Sequence, residues 1–311
     1  MTPPQHTETA RFGQVITAMV TPFDEAGALH LQGAVDLARW LAAHGSDGLV
    51  LSGSTGESSV LTDDEKVALW RAVAEAVTIP VIAGSGSNDT AHSLTMTARA
   101  AECGVDGVLL VTPYYNRPSQ AGIFEHFRAV SEAAAGLPVL LYDVPARVGR
   151  RIATPTLLRL AREVPAIVGL KDATGDPATT AHLAAQAPPG FEIYSGDDAM
   201  TLPLLAVGAV GVISVASHWV GPQFKKVVQA FLAGDLAGAI GGHAELLDSF
   251  DFETSPEYPN PLPTKAVLRA LGHEVGQCRL PMGPSTPELD AQAAKVLAAV
   301  GHPAATVPPL A

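Results

Sequence analysis

The chain has 311 residues, 47% hydrophobic and only 16% charged, a balance that marks a folded protein with a substantial core and excludes a disordered one. Its 19 basic residues stand against 31 acidic ones for a net charge of -12, and no lysine- or arginine-rich run breaks the acidic background. A nucleic-acid partner, which needs a basic face to displace counterions, is therefore not expected. Cys103 and Cys278 lie far apart in no CxxC or Cys/His spacing, so they read as buried thiols in a reducing compartment.

Met1 to Arg11 is polar and lacks the apolar core of a signal peptide. Short, almost wholly apolar runs then recur at Val15–Val20, Gly48–Leu51, Val81–Ala83, Gly107–Val111, Val139–Tyr142, Ile167–Leu170, Glu192–Tyr194 and Gly211–Val215. Continuous rather than alternating apolar character indicates strands buried on both faces, as in a parallel sheet. Amphipathic helices are predicted between them at Leu31–His44, Asp63–Ala76, Thr90–Cys103, Gln120–Ala134 and Thr156–Arg162. Strands alternating with helices, and no G-x-G-x-x-G after the first strand, predict an α/β fold of the (β/α)8 TIM-barrel type with a C-terminal helical extension. Residues 1–221 are read as the barrel, 222–303 as the helical region with a proline-rich turn at Pro256–Pro263, and 304–311 as a loose tail. Leu202–Val215 is apolar but too short for a membrane span and broken by Pro203, Gly208 and Gly211, so no membrane partner and a cytoplasmic location are expected.

In such barrels chemistry gathers in the loops after the strands. The unusual residues fall there: Gly53–Glu57, Pro113–Pro118, Tyr142–Arg147, Gly169–Gly175 and Ser195–Asp198. Lys171 directly follows an apolar run, which places its amine in the barrel mouth. Burial disfavours the charged form, and a neutral amine is the nucleophile a ketone needs; the bland alternative is a solvated lysine snorkelling from a strand end. Ser54 and Thr55 sit between two glycines in a turn whose backbone N–H groups could face a carboxylate. The turn lacks the lysine of a phosphate loop. Tyr142 is a candidate acid/base or else a core aromatic. Arg147 in a mouth calls for an anion such as a substrate carboxylate, or else makes a surface ion pair. The ten histidines show no ligand spacing, so no metal is predicted.

Taken together the loops resemble the dihydrodipicolinate synthase family, within the wider N-acetylneuraminate lyase superfamily. The likeness runs from Thr17–Phe23 to Arg279–Met282 through GSTGES (53–58), VTPYYNRPSQ (111–120), YDVPARVG (142–149), GLKDATG (169–175), SGDDA (195–199), GVISVAS (211–217) and NPLPTK (260–265). The resemblance implies that Lys171 forms a Schiff base with pyruvate and that Tyr142 shuttles protons. It places Ser54 where synthases usually carry threonine, in a hydroxyl relay with Tyr142 and Tyr115, the last reaching in from a neighbouring subunit. Thr55 would bind the pyruvate carboxylate through its backbone, Arg147 the carboxylate of the second substrate, and Gly196 and Ile213 would line the pocket. The implied reaction joins pyruvate to an aldehyde, L-aspartate 4-semialdehyde, in lysine and diaminopimelate biosynthesis, with no external cofactor, in a homotetramer or homodimer.

A Ser-Thr pair at 54–55 is also what sialic-acid lyases carry, so a related aldolase acting on N-acetylneuraminate or 4-hydroxy-2-oxoglutarate is the alternative. Arg147 and the YYNRPSQ loop favour the synthase. A non-catalytic barrel that only binds a keto acid is a third reading, disfavoured by the joint presence of Lys171, Tyr142 and Tyr115. In lysine-inhibited relatives an effector pocket uses histidines and a glutamate; the matching positions here are Asp63, Lys66 and His92, with Asn88 and Tyr114 retained. Loss of the anionic partner at His92 implies weak or absent lysine feedback.

Overall fold

The computed structural model describes residues 10–301; the expected loose tail, 304–311, lies outside them. The strands are β1 (Val15–Ala18), β2 (Gly48–Leu51), β3 (Val81–Gly84), β4 (Gly107–Val111), β5 (Val139–Asp143), β6 (Ile167–Asp172), β7 (Glu192–Ser195) and β8 (Gly211–Ser214). Each pairs in parallel with the next, and β8 returns to β1, closing the barrel. The helices are α1 (Leu31–Ala43), α2 (Asp63–Ala74), α3 (Thr90–Ala101), α4 (Gln120–Glu132), α5 (Pro145–Val148), α6 (Thr154–Glu163), α7 (Pro177–Gln186) and α8 (Thr201–Ala206), then α9 (Ser217–Leu232), α10 (Leu236–Glu245), α11 (Leu247–Phe252), α12 (Leu262–Ala270) and α13 (Pro287–Ala299).

The double-sided burial inferred from the apolar runs is visible as two sets of contacts. Ile16, Ala18, Val50, Ile82, Leu109, Leu140, Tyr142, Tyr194 and Ile213 pack together inside the barrel. Their strand neighbours Leu49, Leu51, Val81, Ala83, Val108, Leu110, Val139 and Leu141 face the helices. The helices start where capping chemistry allows. Thr62 and Glu65 form a reciprocal capping box on α2, while Asp89, Ser119 and Asp176 accept backbone N–H bonds at α3, α4 and α7.

Two strand boundaries differ from the sequence reading by more than one residue. β1 ends at Ala18 rather than Val20 because the Val20 N–H turns from the sheet to His218 Nε2, 3.2 Å away. β6 runs two residues past Leu170, so Lys171 lies within the strand rather than after it. Asp172 can end a buried strand because Thr174 Oγ1, at 2.7 Å, and Thr180 Oγ1, at 2.5 Å, both donate to its carboxylate. Arg147, expected in a loop, sits on the short helix α5.

The 221/222 division expected from the sequence would cut within α9, beside a kink where Val220 has non-helical angles and Pro222 follows. On both sides of the kink, Trp219, Phe224, Phe250, Leu289 and Leu297 form a second core that joins the C-terminal helices to β1 and β8. Leu202–Val215 resolves into α8 and β8, and among the described residues no helix is long and apolar enough to cross a membrane.

Candidate active site

Lys171 and Tyr142 are Cα partners across β5 and β6. Residues in register on neighbouring strands project to the same side, so both side chains point into the mouth. Lys171 is 5% and Tyr142 6% exposed, and the lysine Nζ lies 4.5 Å from the centre of the tyrosine ring. Two other lysines are buried, Lys66 on α2 and Lys265 on α12, but Lys265 is paired with Glu57 at 2.7 Å. Among the described residues no carboxylate lies within ion-pair distance of Lys171. Gly196 closes against it: a Cβ there would meet Lys171 Cγ at 3.0 Å and Cε at 3.1 Å.

In front of this pair opens a cavity of about 630 Å3 lined by Ser54, Tyr114, Tyr115, Tyr142, Arg147 and Asn260 among others. Lys171 is not on its wall; Tyr142, against which it lies, is. Ser54 and Thr55 belong to a turn bracketed by two non-glycine residues in the left-handed region, Ser52 (φ 50°) and Glu57 (φ 55°). Gly56 is required within it, since a Cβ would come within 2.9 Å of the Ser52 nitrogen. Thr55 is 4% exposed, and its Oγ1 accepts a 2.9 Å bond from Asn260 Nδ2. Arg147 reaches the same residue from the other side, its NH2 donating to the Asn260 carbonyl at 3.5 Å. Ile213 is buried on β8, in the interior cluster that holds Tyr142.

Of the sequence-predicted residues, the structure thus gathers Lys171, Tyr142 and Gly196 at one point, and Ser54, Tyr142 and Arg147 around one cavity. Tyr115 stands apart. It is 90% exposed, with a left-handed backbone (φ 70°), on the cavity rim.

Two further acidic groups are Asp198, which lies in the Ser195–Asp198 segment noted in the sequence, and Glu253, which the sequence reading did not single out. Asp198 is nested by Ser214 Oγ and the backbone N–H groups of Val215 and Ala216, at 2.9, 3.0 and 2.6 Å. The carboxyl of Glu253 is pushed well above the ordinary carboxylate range, first by burial and then by Asp198. Asn260 was also missed as a site residue. It stood in a recognised motif, but its partner Thr55 is 205 residues away.

A hollow of about 580 Å3 outside the barrel, between α6 and α7, is lined by Arg159, Arg162, Glu163 and His182 among others and contains no lysine. No cluster of three or more His, Cys, Asp or Glu able to hold a metal is found among the described residues.

A buried amine beside a phenol, at the carboxyl ends of a closed parallel barrel, is suited to capturing a carbonyl carbon and moving the protons this requires. Fold and site define an enzyme of the class I, Schiff-base-forming lyases. The chain belongs to the dihydrodipicolinate synthetase family, whose model matches residues 11–300. It is 49% identical over 294 residues to the 4-hydroxy-tetrahydrodipicolinate synthase of Symbiobacterium thermophilum, covering 93% of this chain and 98% of that one. Among solved structures it resembles the dihydrodipicolinate synthase of Cyanidioschyzon merolae with lysine bound, at TM-score 0.90 and 43% identity over 93% of this chain and 98% of that one. The dihydrodipicolinate synthase DapA-2 of Bacillus anthracis superposes at TM-score 0.89 with 41% identity over 96% of this chain and all of that one. The family acts on small-molecule substrates.

Proposed function

We propose that this chain condenses pyruvate with L-aspartate 4-semialdehyde to 4-hydroxy-tetrahydrodipicolinate, through a Schiff base on Lys171. The observation that carries the reading is the Lys171 amine, buried without an ion pair 4.5 Å over the Tyr142 ring, in a family whose similar members bear that activity's name.

Lys171 Nζ adds to the keto carbon of pyruvate, and loss of water leaves a protonated imine. That imine is the electron sink, so no cofactor is required. Loss of a methyl proton gives an enamine, whose carbon attacks the aldehyde of the second substrate. The substrate amine then displaces Lys171 and closes the ring, so that the two substrates yield one cyclic product and one water. Tyr142 passes the protons, with Ser54 and Tyr115 extending the relay. The backbone at Thr55 receives the pyruvate carboxylate, Arg147 receives that of the semialdehyde, and the main chain at Gly196 and Ile213 lines the pocket.

The 90% exposure of Tyr115 supports its insertion into a second copy, which makes the working unit at least a homodimer and, by family likeness, a homotetramer. The barrel, 1–221, carries the chemistry and the helical region, 222–303, braces it, in a cytoplasmic protein. Purified protein given pyruvate and L-aspartate 4-semialdehyde is expected to turn over. Turnover only with N-acetylneuraminate or 4-hydroxy-2-oxoglutarate would transfer the assignment to a related aldolase.

A further inference from the structure

The turn that holds Ser54 and Thr55 is strained at both ends, and each end has a buried tie. At the first, the indole Nε1 of Trp70 donates to Ser52 Oγ at 2.8 Å, and that hydroxyl bonds the Gly84 carbonyl at 3.2 Å. At the second stands Glu57, left-handed and with a side chain only 2% exposed. One of its carboxylate oxygens meets Lys265 Nζ at 2.7 Å; the other accepts the Arg279 backbone N–H at 2.9 Å.

Lys265 is itself fully buried, in α12, far outside the barrel sequence. Its ammonium also donates to the Gln277 carbonyl at 3.1 Å and lies 4.1 Å over the Phe23 ring. A carboxylate and an ammonium withdrawn together from water are a costly way to fill a core, because apolar side chains of the same volume pack there at least as well. Such a pair does supply direction. The Glu57 N–H closes the turn on the Ser54 carbonyl at 3.1 Å, and Thr21 Oγ1 holds the Gly56 carbonyl at 2.6 Å. The orientation of the Glu57 carboxylate is therefore transmitted to the backbone at 54–56. Asn260, five residues before Lys265 in the same NPLPTK segment, adds a second tie through Thr55 Oγ1.

We infer that Lys265 is a positioning residue for the pyruvate site: through its buried pair with Glu57, the C-terminal region aims the Ser54–Thr55 turn at the substrate carboxylate. The inference rests on the reading of that turn given above. It assigns a role in substrate affinity to a residue that touches neither substrate nor Lys171.

Lys265→Met alone leaves Glu57 buried without its partner, which destabilises the fold and cannot separate folding from positioning. The decisive variant is Glu57→Gln/Lys265→Met, which removes both charges and so spares the core an unpaired ion. The expected result is a wild-type melting temperature with the pyruvate KM raised about tenfold, the semialdehyde KM unchanged, and less borohydride-trapped adduct at low pyruvate that recovers at high pyruvate. A pair with only a structural role gives wild-type values of both KM once the fold is retained, and that result overturns the inference. So does an equal rise in both KM, or a fall in kcat alone. If the wild-type protein itself forms no trapped adduct, it is the Schiff-base reading that fails, and the two failures are thereby told apart.

Discussion

Replacing Gly196 by alanine tests the geometry around the reactive amine with a single methyl group. The added Cβ would lie 3.0 and 3.1 Å from Lys171 Cγ and Cε and 2.9 Å from Ala173 Cβ. Carbon atoms pack at about 3.5–4.0 Å, so each contact is short by roughly 0.5–1 Å. The backbone cannot yield easily, because the Gly196 N–H is bonded to the Asp172 carbonyl at 2.7 Å and the Ala173 N–H to the Asp143 carbonyl at 2.9 Å. The lysine stem must move instead. A misplacement of about 1 Å at a reacting centre costs on the order of 100-fold in rate, or about 2.7 kcal/mol of barrier. Overpacking should cost about 1–3 kcal/mol of stability, which leaves the barrel folded. Steady-state kinetics, a thermal melt and the yield of borohydride-trapped adduct should together show a folded variant with kcat/KM down about 100-fold. A folded Gly196→Ala protein with wild-type kcat/KM would refute the placement of the amine.

Asp143 faces Asp172 across β5 and β6, and its carboxyl is pushed up to about 7, first by burial and then by that like charge, against the opposing N–H of Ile152. A carboxyl raised in the folded state stabilises the protein at low pH, and that contribution is lost as pH climbs from about 4 through 7, by an amount on the order of 4 kcal/mol. Asp143→Asn should therefore melt above the wild type at pH 8 and no higher than it at pH 4; parallel melting curves across pH would contradict this. Arg147→Ala should raise the semialdehyde KM by about 10- to 100-fold, the worth of a charge-assisted bond, and leave the pyruvate KM unchanged; equal effects on both would misplace the carboxylate. At the effector positions His92 Nε2 is bonded to Asp63 at 2.9 Å and Lys66 is buried beside them, so a free ammonium meets a spent carboxylate. Titration with lysine should leave the rate nearly constant, and strong inhibition would overturn that reading.

The barrel was legible because β-branched apolar runs of strand length recur at intervals that leave room for a helix. The ends of those runs were less so. Apolar counting stopped β6 at Leu170, yet the strand continues through Lys171 and Asp172, because one polar side chain enters the mouth and the other is met by two threonine hydroxyls. Helix α5 went unread since four residues opening on Pro145 carry no period. Lys171, Tyr142, Ser54 and Arg147 stood out in the sequence by their places at or just after strand ends and by motif likeness. The ties from Asn260 and Lys265 were not: each joins residues some two hundred positions apart, and no local pattern encodes a contact that exists only after the barrel closes.

The most direct measurement is to reduce the protein with borohydride in the presence of pyruvate and to map the modified lysine by peptide mass. The account predicts one adduct, on Lys171, absent from Lys171→Ala while the fold is retained. An active enzyme that yields no adduct, or carries it on Lys66 or Lys265 instead, would contradict it.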